Sequence, residues 1–270
     1  DDPSDTIRNT YPHTLFALEH RERFRNVISR IDNDSSRLGM VSYAWPELRT
    51  TCQKVFAYKC AFCERALHQE EEQTLTYWRP SGYTANPSTG VVEGGQYPWL
   101  QNEARNVYYA CAACIAAKGH YFPIWGTRQV PGSDWEKCRD EKPRLLAPYE
   151  ENPNAHLIFE SDGTVNSNTK KGVATITTFD LNRESLVIER QSAYQQVYNW
   201  LDTYTESSRD AEFQLRGLLD IMQPFAMCKR QALRQYTEER LKQDKLTPFH
   251  EQWRNTIIEQ DEAILAATQK

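Results

Sequence analysis

Apolar residues in the first part of the chain recur with a helical period. Phe24, Val27, Ile28 and Ile31 fall at i, i+3, i+4 and i+7, which predicts a helix in the stretch to about residue 38. Pro46 suits the first turn of a second helix running through Tyr58. The helical period is then lost. Pro80, Gly82, Pro87, Gly90, Gly94, Gly95 and Pro98 punctuate residues 79–98 as loop. A short β-favouring run, Asn106 to Ala110, leads into a predicted short helix, Ala112 to Lys118, ended by Gly119. Residues 126–155 read as a second loop, rich in proline and charge. Leu157 to Glu160, the turn Ser161-Asp162-Gly163, and Thr164-Val165 read as a hairpin. The helical period returns with Leu186, Ala193, Val197, Trp200 and Leu201, on a long helix capped by Asp180 or Asn182. Two more helical stretches follow, at about 207–243 and 248–268. No internal repeat or low-complexity segment interrupts the pattern.

The predicted fold class is α+β. A core at 59–180 lies between an N-terminal helical segment at 1–58 and a C-terminal helical region at 181–270. The 39% apolar and 26% charged shares are those of an ordinary globular chain. A net charge of −5 gives the whole molecule no pull toward nucleic acid, so any such contact needs a local basic patch. No apolar run approaches a membrane span and no signal peptide is present. The chain begins at Asp1 rather than Met, as expected of a piece of something longer.

Seven cysteines remain to be explained, and they change the picture most. Cys60-Ala-Phe-Cys63 and Cys111-Ala-Ala-Cys114 are two C-x-x-C pairs. Each presents two thiolates at the spacing a tetrahedral ion takes up, with Zn–S bonds of about 2.3 Å. Two unrelated pairs of buried thiols, or a redox C-x-x-C, are the alternatives; two such pairs in one chain fit a metal better. Four protein sulfurs leave no open position for water, so the expected role of the zinc is structural. Cys52, Cys138 and Cys228 are scattered and odd in number. They read as ordinary semi-buried thiols in a reducing, cytoplasmic compartment.

A linked series of short motifs surrounds the pairs. Lys59 to Glu64 is followed by Tyr77-Trp78-Arg79-Pro80, then Asn106-Val107-Tyr108-Tyr109-Ala110-Cys111, Cys114-Ile115-Ala116-Ala117-Lys118-Gly119 and Phe122-Pro123. Leu145-Leu146-Ala147-Pro148, Asn152 to Phe159, Thr175-Ile176-Thr177 and Leu181-Asn182-Arg183 complete it. From about residue 50 to 190 this resembles the HNH endonucleases of bacterial anti-phage systems, the Septu and retron-associated PtuB-like type.

The resemblance implies a zinc-stapled ββα-metal core. In such a core a histidine general base activates water against a DNA phosphodiester beside one Mg²⁺ or Mn²⁺ ion. It also implies where this chain departs. Thr76 stands at the acidic position, Tyr77 at the catalytic histidine, Ile115 at the ligand after the second C-x-x-C, and Ala147 at a common aspartate. Asn106 is kept, in a bracing role. Ile115 has no lone pair for a metal, and a tyrosine with an intrinsic pKa of about 10 is a poor base at neutral pH. His68, His120, His156 and the run Glu70-Glu71-Glu72 are possible substitutes. The run of glutamates suits a solvated face, and His156 suits a brace for the hairpin.

The expected function is therefore a catalytically degenerate HNH-like zinc protein. It would act as a binding or regulatory subunit of a bacterial anti-phage system, beside an ATPase or other effector docked on the helical regions. One alternative is an active metal-dependent DNA endonuclease with a rearranged site. Another is a non-catalytic nucleic-acid-binding module, using aromatics such as Tyr77, Trp78 and Tyr109 and the basic residues Lys54, Lys59, Arg65, Arg79, Arg105, Lys118 and Arg128.

Overall fold

A computed structural model describes residues 49–67, 73–81 and 97–268 with single-residue gaps, and two short strands between 84 and 93. The predicted helix of Phe24 to Ile31 and the start of the next at Pro46 lie outside the described residues, as do His68 and Glu70 to Glu72.

Strands β1 (Gln73–Tyr77) and β4 (Val107–Cys111) pair antiparallel, Gln73 opposite Cys111 and Tyr77 opposite Val107. Helix α1 (Ala112–Lys118) follows β4 directly and packs on both strands. The β4 side chains are all buried, so the strand shows no alternation. β1 lies in a stretch read neither as strand nor as helix, although Thr74-Leu75-Thr76-Tyr77 alternates with period two. Strands β2 (Thr84–Ala85) and β3 (Val92–Glu93) pair within the predicted loop.

The loop at 126–155 carries a short helix, α2 (Trp135–Arg139), started by Asp134, whose side chain accepts from the Lys137 amide at 2.8 Å. The predicted hairpin forms as β5 (Ile158–Phe159) and β6 (Val165–Asn166). An unpredicted helix, α3 (Lys170–Thr178), follows, capped by Thr169.

The long helix α4 spans Glu184–Thr203, but neither expected cap starts it. Asp180 sits in the left-handed region (φ 46°). Asn182 turns away and pairs with Val165, accepting from its amide at 2.8 Å and donating to its carbonyl at 2.9 Å. Arg183 takes the N-cap position without a side-chain bond to the helix. The stretch read as one helix over 207–243 is two, α5 (Arg209–Leu218) and α6 (Ala226–Lys242). Pro224 disfavours helix in the residue before it, and Phe225 is left-handed (φ 54°), its amide held by the Glu64 carbonyl at 3.2 Å. Helix α7 (Pro248–Thr268) closes the chain as expected. α6 is the hub of the helical region, packing on α4, α7 and the hairpin. No helix among the described residues is long and apolar enough to cross a membrane.

The hairpin turn docks on α4 through Gly163. Its φ is 86°, and a Cβ there would meet the Val187 carbonyl at 2.0 Å and the Gln191 amide nitrogen at 2.7 Å. Both are backbone atoms of α4, so no side chain can yield. Gly163→Ala is expected to cost on the order of 3 kcal/mol in urea unfolding, from left-handed strain plus the clash. A cost below about 1 kcal/mol would show that the hairpin can lift from α4 freely.

Candidate metal centre

The first cysteine pair sits on a tight turn. The Cys60 amide donates to the Arg65 carbonyl at 2.9 Å, and the Glu64 amide returns to the Cys60 carbonyl at 3.0 Å. Glu64 is left-handed (φ 59°) to close it. The Ala61 amide bonds the Tyr109 carbonyl at 2.9 Å, fastening this turn to β4. Phe62 stacks on Phe179 with centroids 4.0 Å apart, and so carries the turn onto the end of α3. Cys111 ends β4 and caps α1, its sulfur accepting from the Cys114 amide at 3.4 Å. The Cys111 amide in turn donates to the Cys60 sulfur at 3.4 Å.

The four sulfurs come together. Cys60, Cys63, Cys111 and Cys114 are buried, with all four Sγ atoms within 4.8 Å of one another and Cys63 to Cys111 at 3.9 Å. A tetrahedron with Zn–S bonds of roughly 2.3 Å has edges of about 3.8 Å, so a small contraction would close this set around one ion. Burial pushes the Cys60 thiol up, and the bonds to Cys111 push those of Cys63 and Cys114 up. The same bonds, from Cys114, Cys60 and Cys63, hold Cys111 well below the usual thiol range. Four donors of this softness, closed to solvent, suit a structural ion and offer no position for a reacting water.

Arg183, in the Leu181-Asn182-Arg183 motif, reaches the cluster from the start of α4. Its Nη2 lies 3.7 Å from the Cys63 sulfur, 3.6 Å from Cys111 and 3.5 Å from Cys114. Burial opposes its charge, and the neighbouring sulfurs more than offset that, raising its pKa. The remaining thiols are inert: Cys52, Cys138 and Cys228 are fully buried, not semi-buried, and burial raises all three.

The other candidate residues form no second cluster of metal-binding groups among the described residues. Thr76 and Tyr77 lie half-buried on β1, opposite Tyr108 and Val107. Burial pushes the Tyr77 phenol up, away from use as a base. Ile115, half-buried on α1, packs against the apolar core. His120 is exposed just past Gly119. His156 holds the side chain of Thr169, the cap of α3, at 2.9 Å, and burial lowers its pKa. Among the described residues, no second group of three or more His, Cys, Asp or Glu side chains comes close enough to hold a metal ion.

Asn106 is buried and fully bonded. Its side chain accepts from the Arg79 amide at 2.7 Å and donates to the carbonyls of Arg79 and Leu100 at 3.1 and 3.0 Å. Arg79 itself is buried against Glu141. The basic residues near the core are mostly committed internally. Lys59 bonds Glu64 and the Gln223 carbonyl, Arg65 pairs with Glu189, Arg105 with Glu103 and Glu136, and Arg128 with the Tyr97 hydroxyl and the Phe122 carbonyl. Lys118 is buried, which lowers its pKa to about 7. Lys54 alone of the seven is exposed.

No family model matches the chain, and no solved structure matches it. Two curated proteins of Bacillus mycoides (strain KBAB4) are similar to it. It is 29% identical to Septu protein PtuA over 171 residues, 63% of this chain and 24% of that protein. It is 26% identical to Septu protein PtuB over 160 residues, 58% of this chain and 54% of that protein. The chain therefore spans about a quarter of one of these curated relatives and about half of the other, and its similarity is to Septu proteins.

Proposed function

We propose that this chain is a structural zinc protein of a bacterial anti-phage defence system, built on an HNH-like ββα core that no longer cuts DNA. The similarity to the Septu proteins PtuA and PtuB supports the defence role. The observation that carries the rest is a contrast within one small unit. β1, β4 and α1 form a β-β-α arrangement, and its Cys111 and Cys114 meet Cys60 and Cys63 of the adjoining turn in one group of four sulfurs. The positions on its strand and helix where the resemblance implies an acid, a base and a ligand hold Thr76, Tyr77 and Ile115. Cys60, Cys63, Cys111 and Cys114 would hold zinc, which would supply cross-linking charge and no reacting water. Removing the base and two metal-facing groups together takes away both proton transfer and charge stabilisation. The chain would then act by binding, its helical region offering the surface for a defence partner such as an ATPase.

The purified chain is expected to leave supercoiled plasmid and single-stranded DNA intact with Mg²⁺ or Mn²⁺. Cleavage that disappears on Tyr77→Phe or His120→Ala would overturn this reading in favour of a rearranged nuclease. A nucleic-acid-binding role without catalysis is the weaker reading, since six of the seven basic residues near the core are buried or paired internally.

A further inference from the structure

The cluster is joined to the C-terminal helices at several points. Arg183 places one guanidinium between the sulfurs and the end of α3. Its Nη1 donates to the Phe179 carbonyl at 3.2 Å and the Asp180 carbonyl at 3.1 Å, while Nη2 faces Cys63, Cys111 and Cys114. Glu64, next to Cys63, accepts from the Met227 amide at 3.0 Å in the first turn of α6. Lys59, next to Cys60, donates to the Gln223 carbonyl at 3.0 Å. Arg65 pairs with Glu189 on α4.

Charge gives Arg183 a part the other ties lack. Four thiolates around one divalent cation carry a net charge of −2, and the cluster is buried, where uncompensated charge is costly. Arg190, buried in the second turn of α4 where Arg183 is half-buried at its start, spends its hydrogen bonds on the Leu181 and Leu186 carbonyls. Arg183 gives Nη1 to two carbonyls but turns Nη2 to three sulfurs, and an arginine keeps its charge at any physiological pH.

We infer that Arg183 is the outer-sphere cation of the four-cysteine centre, and that through it metal binding seats the start of α4 on the two cysteine turns. This rests on the reading of the cluster as a metal centre. The ion is thereby a joint between the β-β-α unit and the helical region, as well as a cross-link between that unit and the Cys60–Cys63 turn. Residues that hold metal ligands from outside the coordination sphere typically change affinity by roughly 10–100-fold when removed.

The test is zinc affinity of the full chain, read by competition with a chromophoric chelator. Arg183→Met is expected to bind zinc roughly 10–100-fold more weakly. Arg183→Lys, which keeps the charge, is expected to recover most of that loss. Arg65→Met, which loosens α4 without touching a sulfur, is expected to leave the affinity unchanged. Hydrogen–deuterium exchange supplies a second readout on the wild-type chain: stripping zinc should expose the amides of residues 184–190 before those of α7. Wild-type affinity in Arg183→Met, or equal weakening in Arg183→Lys, would overturn the inference while leaving the metal centre standing. So would exchange at 184–190 that ignores zinc, which decides the matter if Arg183→Met does not fold. A wild-type chain that takes up no zinc would overturn the metal reading and the inference together.

Discussion

Cys111→Ser is expected to abolish zinc binding and lower the thermal midpoint by about 10 °C. Cys111 is more than one ligand in four. It closes β4, caps α1 by accepting from the Cys114 amide, and lies 3.9 Å from the Cys63 sulfur. A serine hydroxyl would keep part of the cap but is a poor ligand for zinc, and three remaining sulfurs would be left buried without their ion. Zinc binding and folding are one equilibrium when the site forms only in the folded chain, with apparent energies of roughly 10–16 kcal/mol in isolated zinc-finger peptides. This chain also has a large apolar core, so only part of that energy is needed to hold it folded. A loss of about 4 kcal/mol corresponds to roughly 8–16 °C in a chain of this size. Metal content by elemental analysis and a thermal melt check it. Cys228→Ala, at a buried thiol outside the cluster, should leave the metal content unchanged. Stoichiometric zinc in Cys111→Ser, or no zinc in the wild type, would defeat the four-sulfur reading.

Arg79→Met should cost about 3–5 kcal/mol, the range found when one partner of a buried ion pair is removed. Arg79 is 1% exposed and Glu141 0%. The guanidinium pairs with Glu141 and donates to the Cys138 carbonyl at 2.6 Å. Its carbon lies 4.9–5.4 Å from the centroids of Trp78, Tyr97, Phe122 and Trp135. The Tyr97 hydroxyl donates at 3.0 Å to the same Glu141 oxygen as Arg79, and the Gln129 amide donates to the other at 2.7 Å. Methionine fills much of the volume but strands the Glu141 charge in that ring of aromatics. The double variant Arg79→Met, Glu141→Gln should therefore cost less than the two single changes added together, because no charge is left unpaired. Denaturant unfolding of all three measures the difference. Additive costs would show that the pair is not coupled.

Much of the site was legible because its chemistry is written in local spacing. Two C-x-x-C pairs can share one ion whatever lies between them, and helix α1 with its Gly119 end follows from local propensity. The hairpin was legible from Asp162-Gly163 between apolar runs. The misses have physical causes. β1 is five residues long, too short for a long periodic signal, whereas β4 lies in the run read as β-favouring. α2 and α3 are short, and α3 carries Gly172 and three threonines, all weak helix formers, so packing against the hairpin decides it. The break between α5 and α6 carries a local signal in Pro224, which cannot continue a helix from the residues before it.

Arg183 marks the limit. By sequence it is one arginine in a Leu-Asn-Arg run, and Asn182 beside it looks like the helix cap. In the folded chain Asn182 is taken by Val165, and Arg183 by three sulfurs drawn from two turns up to 120 residues away. Sequence alone determined the donor set, the soft tetrahedral chemistry it suits, and the residue types at Thr76, Tyr77 and Ile115, because these depend only on which side chains are present and how they are spaced. Only the tertiary structure decided which charges meet. It drew Arg183 onto the sulfurs, buried Arg79 against Glu141 and tied up most of the basic residues, because the energy of a charge depends on its distance to others and on its burial, and neither quantity is local in the chain.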